Sequence, residues 1–395
     1  MNNSKSLLFG LFALLILSAT TLVSAQQSIN ATLTHDGIER TYTVFIPEAY
    51  DSTNAIPLVF NFHGYGSNAG QQTFYANLAV EAAANNFLLV HPQGTQNAMG
   101  ANFWNANWGA EVDDIGFTVA MIDALSDEYN VDSLRVYSTG MSNGGYMSYA
   151  LACALSDRIA AIASVTGTMT AGQTDICETI RTVPIMQFHG TADPTVPYEG
   201  SQFGEGIDFV MEYWAEKNAC GSDPEFIMIP DTDMADGSTA EHYIWSTEDN
   251  EALVELYKII DGEHTWPGAS FNNGVTNQDI NASALIWEFF SKHSLPEAEE
   301  PMVNGLESNG SQNTDLLGAL SFSPNPAVSF LNIDLGTIEF ANVQISIFDN
   351  AGKRVLKTET QSQRSSLDVS TLAKGLYFVH CSSEREVEVR KLLID

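Results

Sequence analysis

Short apolar runs alternate with longer helical patterns along most of this chain. The runs that predict strands are Pro57–Phe62, Phe87–Val90, Leu134–Tyr137, Ile185–Phe188 and Leu253–Ile260. The patterns that predict helices after them are Gln72–Asn85, Asp113–Tyr129, Gly144–Ser156, Ile207–Lys217 and Ala282–Lys292. This alternation predicts the α/β class, with a mostly parallel sheet and helices on both of its faces. Before it, Ile29–Phe45 alternates around Asp36-Gly37, which predicts a hairpin.

The N-terminus has the order of a secretory signal peptide. Lys5 precedes the apolar run Leu7–Leu17, and Val23-Ser24-Ala25 supplies small residues, so we expect cleavage after Ala25. A membrane anchor needs about 20 apolar residues, which this run does not reach. The sequence therefore predicts a secreted protein with no membrane span in its mature form.

The chain changes character after the last predicted helix. Residues 296–318 are acidic and rich in Gly, Ser and Asn, which indicates a linker after a first domain over residues 26–295. Residues 319–395 hold short apolar runs separated by turns and no helical period, which predicts a small all-β sandwich domain.

The charge balance excludes one class of partner. The chain has 16 Lys and Arg against 49 Asp and Glu, a formal net charge of -33. Such a surface repels phosphate backbones and anionic lipid, so we expect no nucleic-acid binding.

The four cysteines are Cys153, Cys177, Cys220 and Cys381. Outside the cytoplasm they can pair in three complete connectivities, and four unpaired thiols are the alternative. We predict a disulfide between Cys153 and Cys177, which lie closest in sequence and flank one predicted strand.

One serine stands between glycines where a predicted strand ends. Ser142 has Gly140 two residues before it and Gly144 two residues after it. This G-x-S-x-G pattern is typical of a strained strand-to-helix turn that exposes a nucleophilic hydroxyl. The alternative is a glycine-rich loop whose serine only caps the next helix.

A serine nucleophile needs a base, and the base needs an orienting carboxylate. Asp193 follows the run Ile185–Phe188, and His264 follows Leu253–Ile260, so the order Ser, Asp, His matches a hydrolase triad. Sites of open α/β sheets lie at these carboxyl ends. His189 is nearer to Asp193 in sequence, but it directly ends a strand, which favours a structural role.

The developing oxyanion needs two backbone N–H donors. Asn143, directly after the serine, predicts one of them, and Tyr65 in the loop His63-Gly64-Tyr65-Gly66 predicts the other. An ordinary glycine-rich turn is the alternative for that loop.

Three tryptophans lie in predicted loops near these residues. Trp104, Trp108 and Trp266 form either an apolar wall for the substrate or packing beneath long loops. Asp231-Thr232-Asp233 and Asp236-Gly237 miss the calcium-loop spacing by one residue, which favours a solvated hairpin. We therefore predict no metal and no cofactor.

Five segments together resemble the secreted feruloyl esterases and polyhydroxybutyrate-depolymerase-like esterases of the α/β-hydrolase superfamily. They are HGYGSN, FWNANW with VDDIGF, GMSNGGYM, HGTADPTVPY and GEHTWPG, and the resemblance covers roughly residues 29–294. It implies an α/β-hydrolase fold and carboxylic ester cleavage, with Ser142, Asp193 and His264 as nucleophile, acid and base. Relatives often pair a cysteine at the position of Cys220 with one that is absent here, which implies an unpaired Cys220.

The C-terminal segment resembles the type A sorting domain of the type IX secretion system. SPNPAVSFLNIDL, VQISIFDNAGKRV, LDVSTLAKGLYFV and VRKLLID carry this resemblance. It implies export across the outer membrane by that machinery. A carbohydrate-binding sandwich is the alternative, which the scarcity of aromatic residues disfavours.

The expected function is a secreted serine esterase that removes feruloyl or acetyl groups from plant polysaccharide. The alternatives are an extracellular polyhydroxybutyrate depolymerase, a secreted peptidase on the same fold and a non-catalytic surface binding protein. Whether the exported protein is released or stays attached to the cell surface is open at this point.

Overall fold

The computed structural model describes residues 27–249, 251–271, 274–296, 321–323, 327–334, 343–349, 354–360, 362, 364–382 and 387–394. The chain divides into two compact units, Met1–Glu299 and Glu300–Asp395. The predicted signal peptide, residues 1–25, and residues 297–318 of the predicted linker lie outside the described residues.

The first unit alternates strands and helices. Its strands are β1 (Gln27–His35), β2 (Ile38–Ile46), β3 (Ile56–Phe62), β4 (Leu88–Pro92), β5 (Thr95–Gln96), β6 (Asn102–Phe103), β7 (Val131–Met141), β8 (Ala161–Val165), β9 (Ile185–Gly190), β10 (Glu225–Met228), β11 (Thr239–Ser246) and β12 (Ala252–Ile260). Its helices are α1 (Ala69–Ala76), α2 (Ala79–Asn85), α3 (Asp114–Glu128), α4 (Asn143–Ala154), α5 (Ile207–Lys217) and α6 (Ala282–Phe290).

Ten of these strands form one sheet in the order β1-β2-β4-β3-β7-β8-β9-β12-β11-β10. The six central strands, from β4 to β12, pair in parallel, and the strands outside them pair antiparallel. One apolar cluster joins the sheet to α3 and α5, and a second joins its other face to α2 and α6. The predicted α/β-hydrolase class is confirmed.

Two local features differ from the prediction. The helix expected over Gln72–Asn85 is two helices, because Asn77 adopts a left-handed conformation with φ of 50° that ends α1. Strands β10 and β11 were not expected, because β10 is exposed along its whole length and β11 carries charged and polar side chains. The residues between them include the acidic stretch around Asp231, which therefore lies in the connection of a β-hairpin.

The second unit is all-β in its described residues. Its strands are β13 (Ser321–Ser323), β14 (Phe330–Asp334), β15 (Val343–Asp349), β16 (Arg354–Thr360), β17 (Arg364–Asp368), β18 (Gly375–Ser382) and β19 (Val387–Ile394). They form two antiparallel sheets, β13-β14-β17 and β16-β15-β18-β19. Leu331 and Ile333 of the first sheet share one buried core with Ile345 and Val379 of the second. This arrangement agrees with the predicted sandwich.

Cys153 at the end of α4 and Cys177 form the predicted disulfide. Cys220 has no disulfide partner among the described residues. No helix in the part of the chain that the structure describes is long and apolar enough to cross a bilayer.

Candidate active site

Ser142 lies in a strained turn between β7 and α4. Its φ of 54° and ψ of -118° are unusual for a residue with a side chain, and its N–H donates to the Val165 carbonyl at 2.8 Å. A Cβ on Gly144 would lie 2.1 Å from the Phe62 carbonyl oxygen, and a Cβ on Gly140 would lie 2.6 Å from it. The helix can therefore start against the end of β3 only with glycine at both positions.

Asp193 and His264 meet at the carboxyl edge of the same sheet. Asp193 follows β9 and His264 follows β12, which is the neighbouring parallel strand. The Nδ1 of His264 lies 2.7 Å from Oδ2 of Asp193. The other carboxylate oxygen accepts the N–H groups of Thr195 and Val196, each at 2.8 Å. The buried carboxylate is thus held by three donors, which fixes its orientation toward the imidazole.

His189, the rival partner of Asp193, occupies a different environment. It is buried, and its Nε2 lies 3.5 Å from the Asp193 carboxylate but donates to the Val196 carbonyl at 2.8 Å. Its Nδ1 lies 3.0 Å from the side-chain amide of Gln187. Desolvation by burial lowers the pKa of His189, so the ring is a neutral structural element, as the sequence favoured.

Ser142 and His264 both line one open cavity of about 450 Å³. Gly64 and Tyr65 line it as well, and a Cβ on Gly64 would lie 3.4 Å from the Ser142 Cβ. Neither the N–H of Tyr65 nor that of Asn143 donates a hydrogen bond to any described residue. A hydroxyl, an oriented imidazole and two uncommitted N–H groups can together perform acyl transfer.

His63, which the sequence assigned no role beyond the loop, holds that loop in place. Its Nδ1 donates to the Gly64 carbonyl at 2.8 Å, and its Nε2 accepts the N–H of Gly94 at 2.9 Å. Desolvation by burial lowers the pKa of His63 to about 4. The neutral ring, donor on one side and acceptor on the other, therefore fixes the backbone beside Ser142.

Trp104 and Trp266 are buried, which corresponds to the packing alternative and not to an apolar wall for the substrate. Trp104 is 0% exposed, and its indole N–H donates to the His63 carbonyl at 3.0 Å. Trp266 is also buried, with its indole N–H directed to Ser283 at 3.1 Å. Each indole finds an acceptor inside the protein, so each packs beneath the site.

Trp104 instead clamps the residue after the serine. The side-chain oxygen of Asn143 accepts the backbone N–H of Trp104 at 2.7 Å, and the side-chain nitrogen of Asn143 donates to the backbone carbonyl of Trp104 at 3.0 Å. This pair of bonds fixes the start of α4. The next residue, Asn105, is held in turn by a buried Arg40–Asp114 ion pair with a 2.6 Å contact.

Trp108 is partly exposed but does not line the cavity. Its ring packs 5.3 Å from that of Tyr146, which lies in a separate small apolar cluster with Val196. Of the three predicted substrate-binding tryptophans, none lies on the cavity wall.

The aromatic wall of the cavity comes from residues outside the predicted site. Phe74 of α1 and Phe271 lie with their ring centroids 4.8 Å apart, and they are 66% and 49% exposed. The hydroxyl of Tyr75 accepts the backbone N–H of Trp266 at 3.2 Å, which connects α1 to the His264 loop. The adjacent pair Phe74-Tyr75, in the helical pattern that follows the glycine-rich loop, was the signal available in the sequence.

One cluster in the described residues has the spacing of a metal site, formed by His35, Asp36 and Asp113. Asp113 and His35 of this cluster already make hydrogen bonds to protein groups. Asp113 caps α3 by accepting the Gly116 N–H at 2.8 Å, and its other oxygen contacts His35 at 3.1 Å. The cluster lies on different elements from Ser142 and does not line its cavity.

Two family models match the chain. One described as phospholipase/carboxylesterase matches residues 48–205, and one described as secretion system C-terminal sorting domain matches residues 321–395.

Individual proteins match large parts of the chain. The probable feruloyl esterase C of Aspergillus niger is 30% identical over 294 residues, which cover 70% of this chain and 96% of that protein. Feruloyl esterase B of Piromyces equi is 31% identical over 47% of this chain, which spans only 37% of that longer protein. A bifunctional acetylxylan esterase/xylanase of Neocallimastix patriciarum is 28% identical over 71% of this chain and 37% of its own length.

The match to the Aspergillus protein extends over nearly its entire length, and the sorting-domain family model matches residues 321–395 of the second unit. The chain therefore belongs to the feruloyl esterase family of α/β-hydrolases, is a carboxylic ester hydrolase, and carries a C-terminal sorting domain for type IX secretion.

Proposed function

We propose that this esterase removes a hydroxycinnamoyl group, feruloyl first of all, from plant polysaccharide. Ser142 is the nucleophile, His264 the general base and Asp193 the group that orients the imidazole. The 2.7 Å bond between His264 and Asp193 and the shared cavity of His264 and Ser142 support these roles.

The reaction proceeds through an acyl-enzyme. The Ser142 hydroxyl passes its proton to Nε2 of His264 as its oxygen bonds to the ester carbon, and the N–H groups of Tyr65 and Asn143 stabilise the oxyanion. His264 then protonates the sugar oxygen as the carbon–oxygen bond breaks. A water molecule, deprotonated by the same imidazole, releases the hydroxycinnamic acid and restores the serine.

The exposed Phe74–Phe271 pair is the main support for a hydroxycinnamoyl acyl group. The rings lie on the wall of the cavity that Ser142 opens into. A planar aryl group extending from the ester carbon can pack against them, whereas an acetyl group is too short to use a pair of rings. The cavity volume of about 450 Å³ is within the usual range for small-molecule sites.

Two other ester classes remain candidates. The relatives include an enzyme named for acetylxylan as well as those named for feruloyl esters. Acetylated xylan is therefore the second candidate substrate, and polyhydroxybutyrate the third. The predicted signal peptide would take the chain through the inner membrane, and the enzyme then acts outside the cell, released or attached to its surface.

The test compares Ser142→Ala with Ser67→Ala, which removes a second serine of the same cavity. We expect Ser142→Ala to lower kcat on methyl ferulate by about 10⁴- to 10⁶-fold and to abolish labelling by a fluorophosphonate. Ser67→Ala should still be labelled, and both variants should keep the parent melting temperature. Hydrolysis by Ser142→Ala at a near-parent rate would refute the nucleophile assignment.

The substrate choice needs a separate assay on the parent enzyme. We expect kcat/KM to be higher for methyl ferulate than for a small acetyl ester, with slower release of acetate from acetylated xylan and no turnover of polyhydroxybutyrate or amide analogues. A preference for acetyl esters would contradict the role given to the aromatic pair.

A further inference from the structure

An ester substrate has an acyl side and an alcohol side, and the Phe74–Phe271 pair offers a surface for only one of them. A second aromatic pair is formed by Trp108, in the loop between β6 and α3, and Tyr146, in the first turn of α4. Their ring centroids lie 5.3 Å apart. We call this pair the Trp108–Tyr146 surface.

The two aromatic pairs lie on opposite faces of the large sheet. Consecutive residues of β3 and of β4 alternate between the two large apolar clusters, so each cluster covers one face. Phe74 belongs to α1, whose residue Ala76 packs in one cluster together with Trp266. Tyr146 lies in a small cluster that Ile115 of α3 joins to the other one.

The catalytic residues lie between these two pairs. Ser142 and His264 follow strands of the sheet itself, at its carboxyl edge, and the two pairs lie on either face of that sheet. An ester whose carbonyl carbon is held at Ser142 can therefore direct its acyl group toward one face and its alcohol toward the other.

The Trp108–Tyr146 surface adjoins the triad on the side of Asp193. The backbone N–H of Tyr146 donates to the Ser142 carbonyl at 3.0 Å. Tyr146 shares its cluster with Val196, whose N–H donates to the Asp193 carboxylate at 2.8 Å. Burial, together with the nearby charge of Asp193, raises the pKa of Tyr146. The hydroxyl of Tyr146 therefore stays protonated.

Trp108 is held in an exposed position by its own loop. The side chain is 43% exposed, and the side-chain oxygen of Asn105 accepts its backbone N–H at 3.1 Å. The Asn105 side chain also donates to the carbonyls of Ala110 and Val112, at 2.9 and 2.8 Å, and its backbone N–H donates to Asp114 at 2.7 Å. Because the loop is already fixed, little conformational freedom is lost when a ligand packs on the indole.

An exposed indole of this kind suits a sugar. The apolar C–H face of a sugar ring can pack on an aromatic ring, and an indole N–H can donate to a hydroxyl oxygen. Within the described part of the chain, the one hydrogen bond of Trp108 is made by its backbone N–H, so the indole N–H is available to a ligand. The net charge of -33 repels an anionic chain. The sugar that fits is therefore neutral.

We propose that Trp108, supported by Tyr146, binds the neutral sugar that carries the ester, on the alcohol side of the bond that is cleaved. The inference rests on the proposed function for the class of alcohol, a sugar of plant polysaccharide. The contact is made in the ground state and in the transition state alike. It should therefore lower KM for sugar esters and leave kcat unchanged.

The test compares two esters of one acid that differ only in the alcohol. Methyl ferulate and a feruloylated arabinoxylo-oligosaccharide are hydrolysed under steady-state conditions. We expect Trp108→Ala to raise KM for the oligosaccharide about 10-fold, and Trp108→Phe, which keeps a ring but loses the N–H, about 3-fold. Both variants should keep the parent kcat on the oligosaccharide and hydrolyse methyl ferulate within about 2-fold of the parent.

Phe226→Ala is the matched control, because Phe226 is 50% exposed on β10, the outermost strand of the large sheet. It should match the parent on both esters, and all variants should keep the parent melting temperature. If Trp108→Ala melts earlier, Trp108→Phe decides the outcome. Equal losses on both esters, a loss confined to kcat, or an unchanged KM for the oligosaccharide would each overturn the proposal.

Failure of the proposed function would look different. If the enzyme prefers acetyl esters, every variant hydrolyses both feruloyl esters slowly, and the same comparison is made between phenyl acetate and an acetylated xylo-oligosaccharide. The effect of Trp108 is measured within each pair of esters, so it does not depend on the acyl group. An error in the nucleophile assignment would appear in Ser142→Ala and leave the ratio between the two alcohols unchanged.

Discussion

The floor and the rim of the catalytic cavity are built on different physical principles. The floor, formed by Ser142, His264 and the loop of residues 63–66, is held by hydrogen bonds from buried groups. The rim, formed by Phe74 and Phe271, consists of two largely exposed rings whose contact is with each other.

Because of this difference, we expect the floor to determine the rate of the chemical step and the rim to determine which acyl groups are preferred. A hydrogen-bonded floor fixes atoms to within fractions of an ångström, so changes there should affect kcat. An exposed rim adds contact area that depends on the ligand, so changes there should affect kcat/KM for some acyl groups and not others. The four predictions that follow test this separation, from the largest expected effect to the smallest.

Asp193→Asn should lower kcat by about 10⁴-fold with little change in KM, because an amide no longer holds the Nδ1–H tautomer of His264. The bonds from Thr195 and Val196 can persist on the remaining oxygen, so the fold should survive. Steady-state kinetics on methyl ferulate and a melting curve check both points. A loss of kcat smaller than about 10-fold would show that the imidazole does not depend on this carboxylate.

His63→Phe should lower kcat by about 10- to 100-fold, because the loop beside Ser142 loses both of its anchoring bonds and moves. His63→Asn, which keeps a donor toward the Gly64 carbonyl, should recover part of this loss. Kinetic measurements on the three proteins decide the matter. If the floor were insensitive to its anchors, both variants would match the parent in kcat.

Phe74→Ala and Phe271→Ala should each lower kcat/KM for methyl ferulate by about 10-fold and leave a small acetyl ester within about 2-fold. Phe203→Ala is the control, since Phe203 is exposed to the same extent as Phe74 but lies outside the cavity. Parallel losses on both esters would mean that the rim takes part in the chemistry and would remove the distinction.

The smallest effect concerns the pH dependence of stability. Burial lowers the pKa of His63 to about 4 and that of His91 to about 3, below the ordinary value of 6.5. Between these values the unfolded chain binds more protons than the folded one, so stability is complete above pH 6.5 and decreases as the pH falls. We expect the melting temperature to fall steadily from pH 6.5 to pH 5.

The same two regions should differ in this property. His63→Phe removes one buried histidine and should flatten the decrease, whereas Phe74→Ala should keep the slope of the parent. Calorimetric scans at half-unit pH intervals measure the slopes. Identical slopes in all three proteins would contradict the assignment of a depressed pKa to His63.

The position of the floor could be predicted because its residues are placed by local rules. Ser142, Asp193 and His264 each lie within five residues of the end of an apolar run, and parallel strands bring such positions to one edge. The glycines around Ser142 were visible as a turn, and the close approach of Gly144 to Phe62 explains them.

The tryptophans illustrate the limit of this reasoning. Trp104 and Trp266 occupy loops beside the site, as expected, but the sequence could not show that His63 and Ser283 supply acceptors for them inside the protein. Burial of a large aromatic side chain depends on what surrounds it in space, and that is not encoded in its immediate neighbours.

By itself, the sequence determined the alternation of strands and helices, the change to an all-β second unit and the three residues at the carboxyl edge, because periodicity and turn chemistry act over a few residues. Only the tertiary structure decided that Phe74 and Phe271 meet and that the neutral His63 holds the loop beside Ser142. These features depend on how distant segments pack against one another, and no local pattern specifies that packing.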